Sequence, residues 1–221
     1  NLIVVDAPFK MLSTFHENMF VEPGKSLTFE SEYVHRLNDS ENIKIVKETT
    51  FNGDSFQIGH VFFIEDPLDR VQNPQIIWSA ALQPTEKNIA EDRQYSSAMI
   101  NQGGSITNYT VSQNLEDILD PTHLPGNTNW FAVRNKYFIS SIIFTSPVDF
   151  ARIQANNNVF LNNETYPAFN LSAGKAGSLE NNMLACNMYI GPLDIDHIRE
   201  TNTNLEDSMN FGWKILHPIS K

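Results

Sequence analysis

The stretch Ile43-Lys44-Ile45-Val46-Lys47-Glu48-Thr49-Thr50-Phe51, followed by Asn52-Gly53-Asp54 and the run Ser55 to Ile64, decides the fold class. Ile43, Ile45, Thr49 and Phe51 alternate with other side chains at the period of a half-buried strand. Asn-Gly-Asp between two such runs signals a hairpin, because Asn and Gly accept turn conformations that other residues resist. This is the strongest local structural signal in the chain.

Working outward, the pattern repeats. Ser26 to Val34 carries β-formers with partial alternation around Leu27 and Phe29, behind a Glu22-Pro23-Gly24-Lys25 turn of type II character. Leu2 to Val5 and Met11 to Phe15 are apolar or alternating. Pro67 to Pro74 is a loop, and Ile76 to Leu82 has the apolar character of a central strand. Pro84 to Arg93 has room for a helical turn, as does Leu115 to Leu119 before Pro121. Tyr95 to Ile100, Ser105 to Val111 and Trp130 to Phe144 read as strands, with a Pro- and Gly-containing loop over Pro121 to Asn129. Asn156-Asn157-Asn158 and Asn162-Asn163 punctuate short strands, and Ala173 to Gly177 is a turn before the strand Asn182 to Ile190. Many short strands with regular turns predict a mainly β, antiparallel two-sheet sandwich with its helices at the C-terminus.

Composition narrows the function. The 221 residues can bury a substantial core, and 41% hydrophobic with 19% charged residues describes a globular chain. A net charge of −11 and a pI near 4.9 disfavour nucleic acid or anionic lipid as main partner. The single cysteine, Cys186, lies in an apolar run and reads as a buried strand residue. The most apolar runs, Val61 to Ile64 and Ile139 to Phe144, fall far short of a membrane span. The chain opens at Asn1 with no methionine, as expected of a piece of a longer protein whose other parts include membrane spans.

No catalytic, cofactor or metal site stands out. The six histidines, His16, His35, His60, His123, His197 and His217, are scattered without metal-ligand spacing. Glu65-Asp66-Pro67-Leu68-Asp69 is acidic but lacks a calcium-loop pattern and reads as a solvated loop. Trp130-Phe131-Ala132-Val133-Arg134-Asn135-Lys136-Tyr137-Phe138, taken alone, is a strand with a mixed face.

The last thirty residues are different. After Gly191-Pro192-Leu193, Asp194 is placed to cap a short helix with Asp196 in its first turn. Asn204 is placed to cap a second, with Leu205 and Met209 on one face and Glu206 and Asp207 in the first turn. Gly212 fits a helix end, and Trp213, Lys214, Ile215 and Leu216 mix indole, amine and aliphatic groups as a water–lipid interface does. On these residues alone, an interfacial segment and an amphipathic terminus packed on its own domain stand level.

Taken together, these segments resemble the large periplasmic domain of the YidC/Oxa1/Alb3 family of membrane protein insertases. The residues carrying the likeness are Tyr189-Ile190-Gly191-Pro192-Leu193-Asp194, Leu205-Glu206-Asp207, Asn210-Phe211-Gly212-Trp213, His217-Pro218-Ile219-Ser220-Lys221 and, upstream, the Trp130 to Phe138 segment with its Lys136-Tyr137-Phe138. They cover about a fifth of the chain; the first hundred residues fit only in β-rich character and position. The resemblance implies a galactose mutarotase-like β-supersandwich over residues 1–190 and a helical linker over 191–221, leading to a membrane helix outside this chain. It implies a bacterial inner-membrane protein whose domain faces the periplasm. It also implies a non-enzymatic role in inserting nascent membrane proteins, alone or with Sec translocon components such as SecD/SecF, and no cofactor. No catalytic residue carries over. The rival from another class is a carbohydrate-binding or mutarotase-like sandwich, which needs an acid–base pair that no spacing here picks out.

Overall fold

The computed structural model describes residues 8–14, 19–38, 40–80, 82, 84, 87–110, 122–161 and 164–209. Leu2 to Val5, Leu115 to Leu119, Asn162-Asn163 and Phe211-Gly212-Trp213 therefore lie outside the described residues, as does Phe15.

The hairpin forms as its alternation requires. Strands β3 (Asn42–Asn52) and β4 (Gln57–Glu65) pair antiparallel from Phe51↔Ile58 to Lys44↔Glu65. The turn is longer than a two-residue hairpin, and Gly53 is needed for closeness rather than for an unusual φ. A Cβ there would stand 2.1 Å from the Glu22 carbonyl oxygen. That carbonyl belongs to the Glu22 to Lys25 turn, closed by Lys25 N–H to Glu22 O at 3.0 Å with Gly24 at φ +73°. The two turns are tied together by Gly53 N–H to Lys25 O and Gly24 N–H to the Asp54 carboxylate. Strand β2 (Ser26–Arg36) then pairs with β3 along its whole length, and β1 (Lys10–Met11) pairs with β2.

The remaining strands are β5 (Gln75–Ala80), β6 (Ser97–Gln102), β7 (Ser105–Thr110), β8 (Thr122–Arg134), β9 (Phe138–Leu161), β10 (Glu164–Gly174) and β11 (Met183–Pro192). The order is β1-β2-β3-β4-β11-β9-β8-β6-β7, every pair antiparallel, with β10 on β9 and β5 on β10. A helix α1 (Ile89–Tyr95) precedes β6, where a helical turn was expected.

Four expectations change. The loop expected over Pro121 to Asn129 is strand from Thr122 on, with Pro125 and Gly126 absorbed by shifts in register around Thr128; Pro121 lies outside the described residues. The Asn-rich segment at 156–158 does not break β9, which runs for 24 residues. The Ile76 to Leu82 segment is no central strand: β5 pairs only with β10 among the described residues, and Ile77 is 51% exposed. Finally, the Trp130 to Phe144 segment is two strands. Asn135 turns the chain by accepting the Tyr137 and Phe138 amides on its side-chain oxygen, at 3.0 and 2.8 Å.

Strand β9 makes the sandwich. Its first half, Phe138 to Phe144, pairs with β11, and its second, from Phe150, pairs with β10. Between them Thr145-Ser146-Pro147 is exposed, and the register with β8 jumps from Trp130↔Ile143 to Thr128↔Val148. Pro147 donates no amide and fits a point where the ladder is already broken. The second half thus carries β10 across, so Phe169, Leu171 and Ala173 pack with Ala98 and Ile100 of β6 and Phe131 and Val133 of β8. The two layers stay one hydrogen-bonded network because β9 belongs to both. Phe131 and Phe144 meet edge-to-face in this core, with centroids 6.0 Å apart.

Polar residues near the core have structural tasks. Cys186 is buried in β11, and burial pushes its thiol up to about 12, so it behaves as a small apolar side chain. Asp66 is not the solvated loop residue expected of it. Its side chain is 4% exposed and accepts the backbone amides of Leu68, Arg70 and Val71. Burial works against its charge, but those amides and the Arg70 guanidinium win and hold the carboxyl below its ordinary value. His60 faces Thr49, with Nδ1 3.2 Å from the hydroxyl oxygen. Burial first, and then the Lys47 charge, lower its pKa from 6.5 to about 4. The unfolded chain therefore binds a proton at His60 that the folded chain refuses. Stability should be full above pH 6.5, the unfolded value, and fall as the pH drops from there towards about 4. Urea titrations of the wild type and His60→Gln across this window check it: the substitution should flatten the slope, and an unchanged slope would show that His60 is not its source.

Candidate functional site: the C-terminal helices and the sheet face beneath them

The sheet has a second apolar face. Met99, Trp130, Ala132, Ile139, Ile143 and Tyr189 point away from the sandwich core and are all at most 5% exposed. A face this apolar in β6, β8, β9 and β11 must be covered, and the chain covers it with its own C-terminal segment.

The cover starts at the end of β11, where Gly191 pairs with Ile139 and Pro192 with Phe138. A Cβ on Gly191 would lie 2.8 Å from Cγ of Phe56 and 2.9 Å from the Tyr189 ring, so only glycine lets both aromatics close over this backbone. The Tyr189 hydroxyl donates to the Pro192 carbonyl at 2.8 Å, and Leu193 N–H donates to Tyr137 O at 2.7 Å. Burial, then the charges of Asp194 and Glu200, raise Tyr189 to about 12, which keeps it a donor. Asp194 caps helix α2 (Ile195–Arg199) as expected, its carboxylate accepting the Asp196 and His197 amides. Ile198 enters the core at 0% exposed, and the His197 ring meets Phe56 edge-on at 4.8 Å.

Thr201 to Asn204 then turns the chain into a 3-10 helix, Leu205–Met209. Leu205 is fully buried and Met209 packs beside it, as their shared face suggested. The expected cap is different, however. The side-chain oxygen of Asn204 accepts the Trp130 indole N–H at 3.0 Å, and the Thr203 hydroxyl takes the Leu205 amide. Arg134 donates to the Ser208 carbonyl at 3.0 Å. The segment is thus held by side chains of the Trp130 to Phe138 hairpin.

The structure therefore brings Gly191, Pro192, Asp194 and Leu205 together with Trp130, Tyr137 and Phe138. Glu206 sits half-buried on the 3-10 helix, and Lys136 lies over the rings of Tyr95 and Tyr137, at 5.6 and 5.1 Å. Phe56, Arg134, Asn135 and Ile198 complete the surface and were not singled out from sequence. Only Asn135 carried a readable signal, an asparagine between two apolar runs. What the arrangement offers is rigid positioning: its hydrogen bonds join helix to sheet. Among the described residues no group of His, Cys, Asp and Glu is placed to hold a metal, and no helix is long and apolar enough to cross a membrane.

Fold and surface together define an antiparallel β domain completed by its own C-terminal helices. The family model of the YidC periplasmic domain matches residues 5–221, and the chain belongs to that family. Membership makes it a periplasm-facing domain of a bacterial inner-membrane protein. It is similar to the membrane protein insertase YidC of Chlorobium phaeovibrioides, 29% identical over 82% of this chain and 31% of that protein. It is likewise similar to that of Prosthecochloris aestuarii, 27% identical over 82% of this chain and 31% of the other. The chain thus spans about three-tenths of the length of these relatives. Among solved structures, a galactose mutarotase related enzyme from Lactobacillus acidophilus aligns with a TM-score of 0.44 and 12% identity, over 84% of this chain and 71% of that one.

The packing sets an order of cost. Leu205→Ala should destabilise the domain by about 2–5 kcal/mol, as for other buried leucines. Tyr137→Ala, 44% exposed, should cost far less than Leu205→Ala. Equilibrium unfolding in urea reads both, and a Leu205→Ala cost no larger than that of Tyr137→Ala would mean that the helices stand outside the cooperative unit.

Proposed function

We propose that this chain is the non-catalytic platform of a membrane protein insertase and helps it insert and fold nascent inner-membrane proteins, alone or with the Sec translocon. The family match over residues 5–221 carries this reading, and the curated relatives named membrane protein insertase support it. The platform role draws on the joint between helices and sheet. A segment fixed by the Trp130–Asn204 and Arg134–Ser208 bonds passes a defined orientation from the β domain to whatever follows residue 209. Residues 191–213 are then the linker to the insertase core, rigid through Met209. Contact with SecD/SecF belongs to this proposal too, through a surface other than the one closed by the helices.

The test is made in the full-length protein. Replacing Trp213, Ile215 and Leu216 with Ala should reduce insertion of a reporter membrane protein more than replacing Glu65, Leu68 and Asp69. Asp66 is left intact because it organises its loop. Equal impairment by the two sets would argue against a special role for the tail. Saturable sugar binding by calorimetry, or any mutarotation, would replace the platform reading with the carbohydrate one.

A further inference from the structure

Six aromatic side chains among the described residues are largely exposed: Phe20, Phe51, Phe56, Tyr95, Tyr137 and Phe138, at 38 to 83%. Their placement is not scattered. Phe51 and Phe56 flank the β3–β4 turn, and Tyr137 and Phe138 form the β8–β9 turn. Tyr95 lies two residues before Ser97, which pairs with Arg134 at the end of β8. Phe20 leads into the Glu22 to Lys25 turn, bonded to Gly53. All six therefore sit at one end of the sheet. Ile190, 45% exposed, joins them: its amide donates to Phe56 O, and its partner Ser140 puts it on the same sheet face as Phe138. The turns at the opposite end, 37–41, 66–73 and 102–104, hold no exposed aromatic among the described residues. Single exposed apolar residues are ordinary, but gathering all the exposed aromatics of the described residues at one end is not.

The last described helix also ends here: Ser208 of Leu205–Met209 is held by Arg134, the last residue of β8, beside the aromatic turn. The sequence beyond contains Trp213, Ile215 and Leu216.

We propose that this end of the sheet rests on the surface of a zwitterionic phospholipid bilayer, with Phe56, Tyr95, Tyr137, Phe138 and Ile190 at headgroup depth and the Lys136 amine among the phosphates. The inference rests on the insertase reading and adds to it the surface and the partner. Aromatic rings with an adjacent amine are the composition that a bilayer interface selects. Charge decides which lipid. Glu22, Asp54, Asp194 and Asp196 lie at the same end of a chain of net charge −11, so an anionic surface would repel it. The same acids disfavour a second copy, because in a two-fold dimer they would face each other.

The experiment uses the 221-residue chain with a C-terminal histidine tag, captured on phosphatidylcholine–phosphatidylethanolamine vesicles carrying nickel-chelating lipid. An environment-sensitive dye is placed on Tyr137→Cys or, at the opposite end, on Ser105→Cys. Cys186 is 2% exposed and stays unlabelled. On vesicles the dye at 137 should shift to the blue and be quenched by headgroup-level spin-labelled lipid about twofold more than the dye at 105. Adding Phe56→Ser, Tyr95→Ser and Phe138→Ser should abolish that difference. Equal quenching at the two positions would overturn the proposal. So would sedimentation showing a dimer that those three substitutions dissolve. Reporter insertion by the full-length wild type separates the two readings: insertion without lipid contact at 137 sinks this inference alone, whereas absence of insertion sinks the platform reading.

Discussion

The indole of Trp130 and the side-chain oxygen of Asn204 meet at 3.0 Å on a sheet face that would otherwise be open to water. That bond joins two segments 74 residues apart, and its surroundings explain the rest of the C-terminal half. Strands β6, β8, β9 and β11 are apolar on both faces, because one face lines the sandwich core and the other is filled by Met99, Trp130, Ile139, Ile143 and Tyr189. Ile198 and Leu205 close the second face, and each contributes about 1.5–3 kcal/mol as a fully buried side chain. The buried indole needs an acceptor, and Asn204 supplies it at the cost of its expected capping role. Gly191 belongs to the same constraint. Without a side chain it lets Phe56 and Tyr189 close over the point where the strand gives way to the helices.

The strands were legible wherever alternation and a turn residue agreed. The β3–β4 hairpin, the type II turn at Gly24, the strand around Cys186 and the Asp194 cap all follow from local chemistry. The misreadings share a cause. Pro125, Gly126 and the asparagines at 156–158 are turn-formers by local preference, yet they lie in long strands: Pro125 pairs with Phe150 of β9, Asn156 pairs with Ala168 of β10, and the register shifts beside them take up the residues between. Trp130 to Phe138 read as one strand because apolar residues continue through it, although Asn135 had the chemistry to turn the chain. The edge position of β5 was hidden because Ile76, Ile77 and Trp78 look alike in sequence; only Ile76 and Trp78 pack on the core.

The two readings that sequence left level, interface or packed terminus, concern the residues after Gly212, which lie outside the described ones. The helices before them, through Met209, are packed on the sheet, with Ile198, Leu205 and Ser208 fully buried. The caps, the glycine and the tryptophan are therefore features of a core as well as of a family pattern. They give the β domain a fixed stem, and the exposed aromatics lie at the end from which that stem departs.

Native-state hydrogen exchange tests this joint most directly. If the helices are part of the core, the amides of Ile198 and Thr201, bonded to Asp194 and Ile198, should exchange only through the same global unfolding that frees the β8 and β9 ladder, with the same dependence on urea. Exchange of these amides by a local opening, independent of urea while the ladder stays protected, would contradict the account and make the segment a detachable hinge.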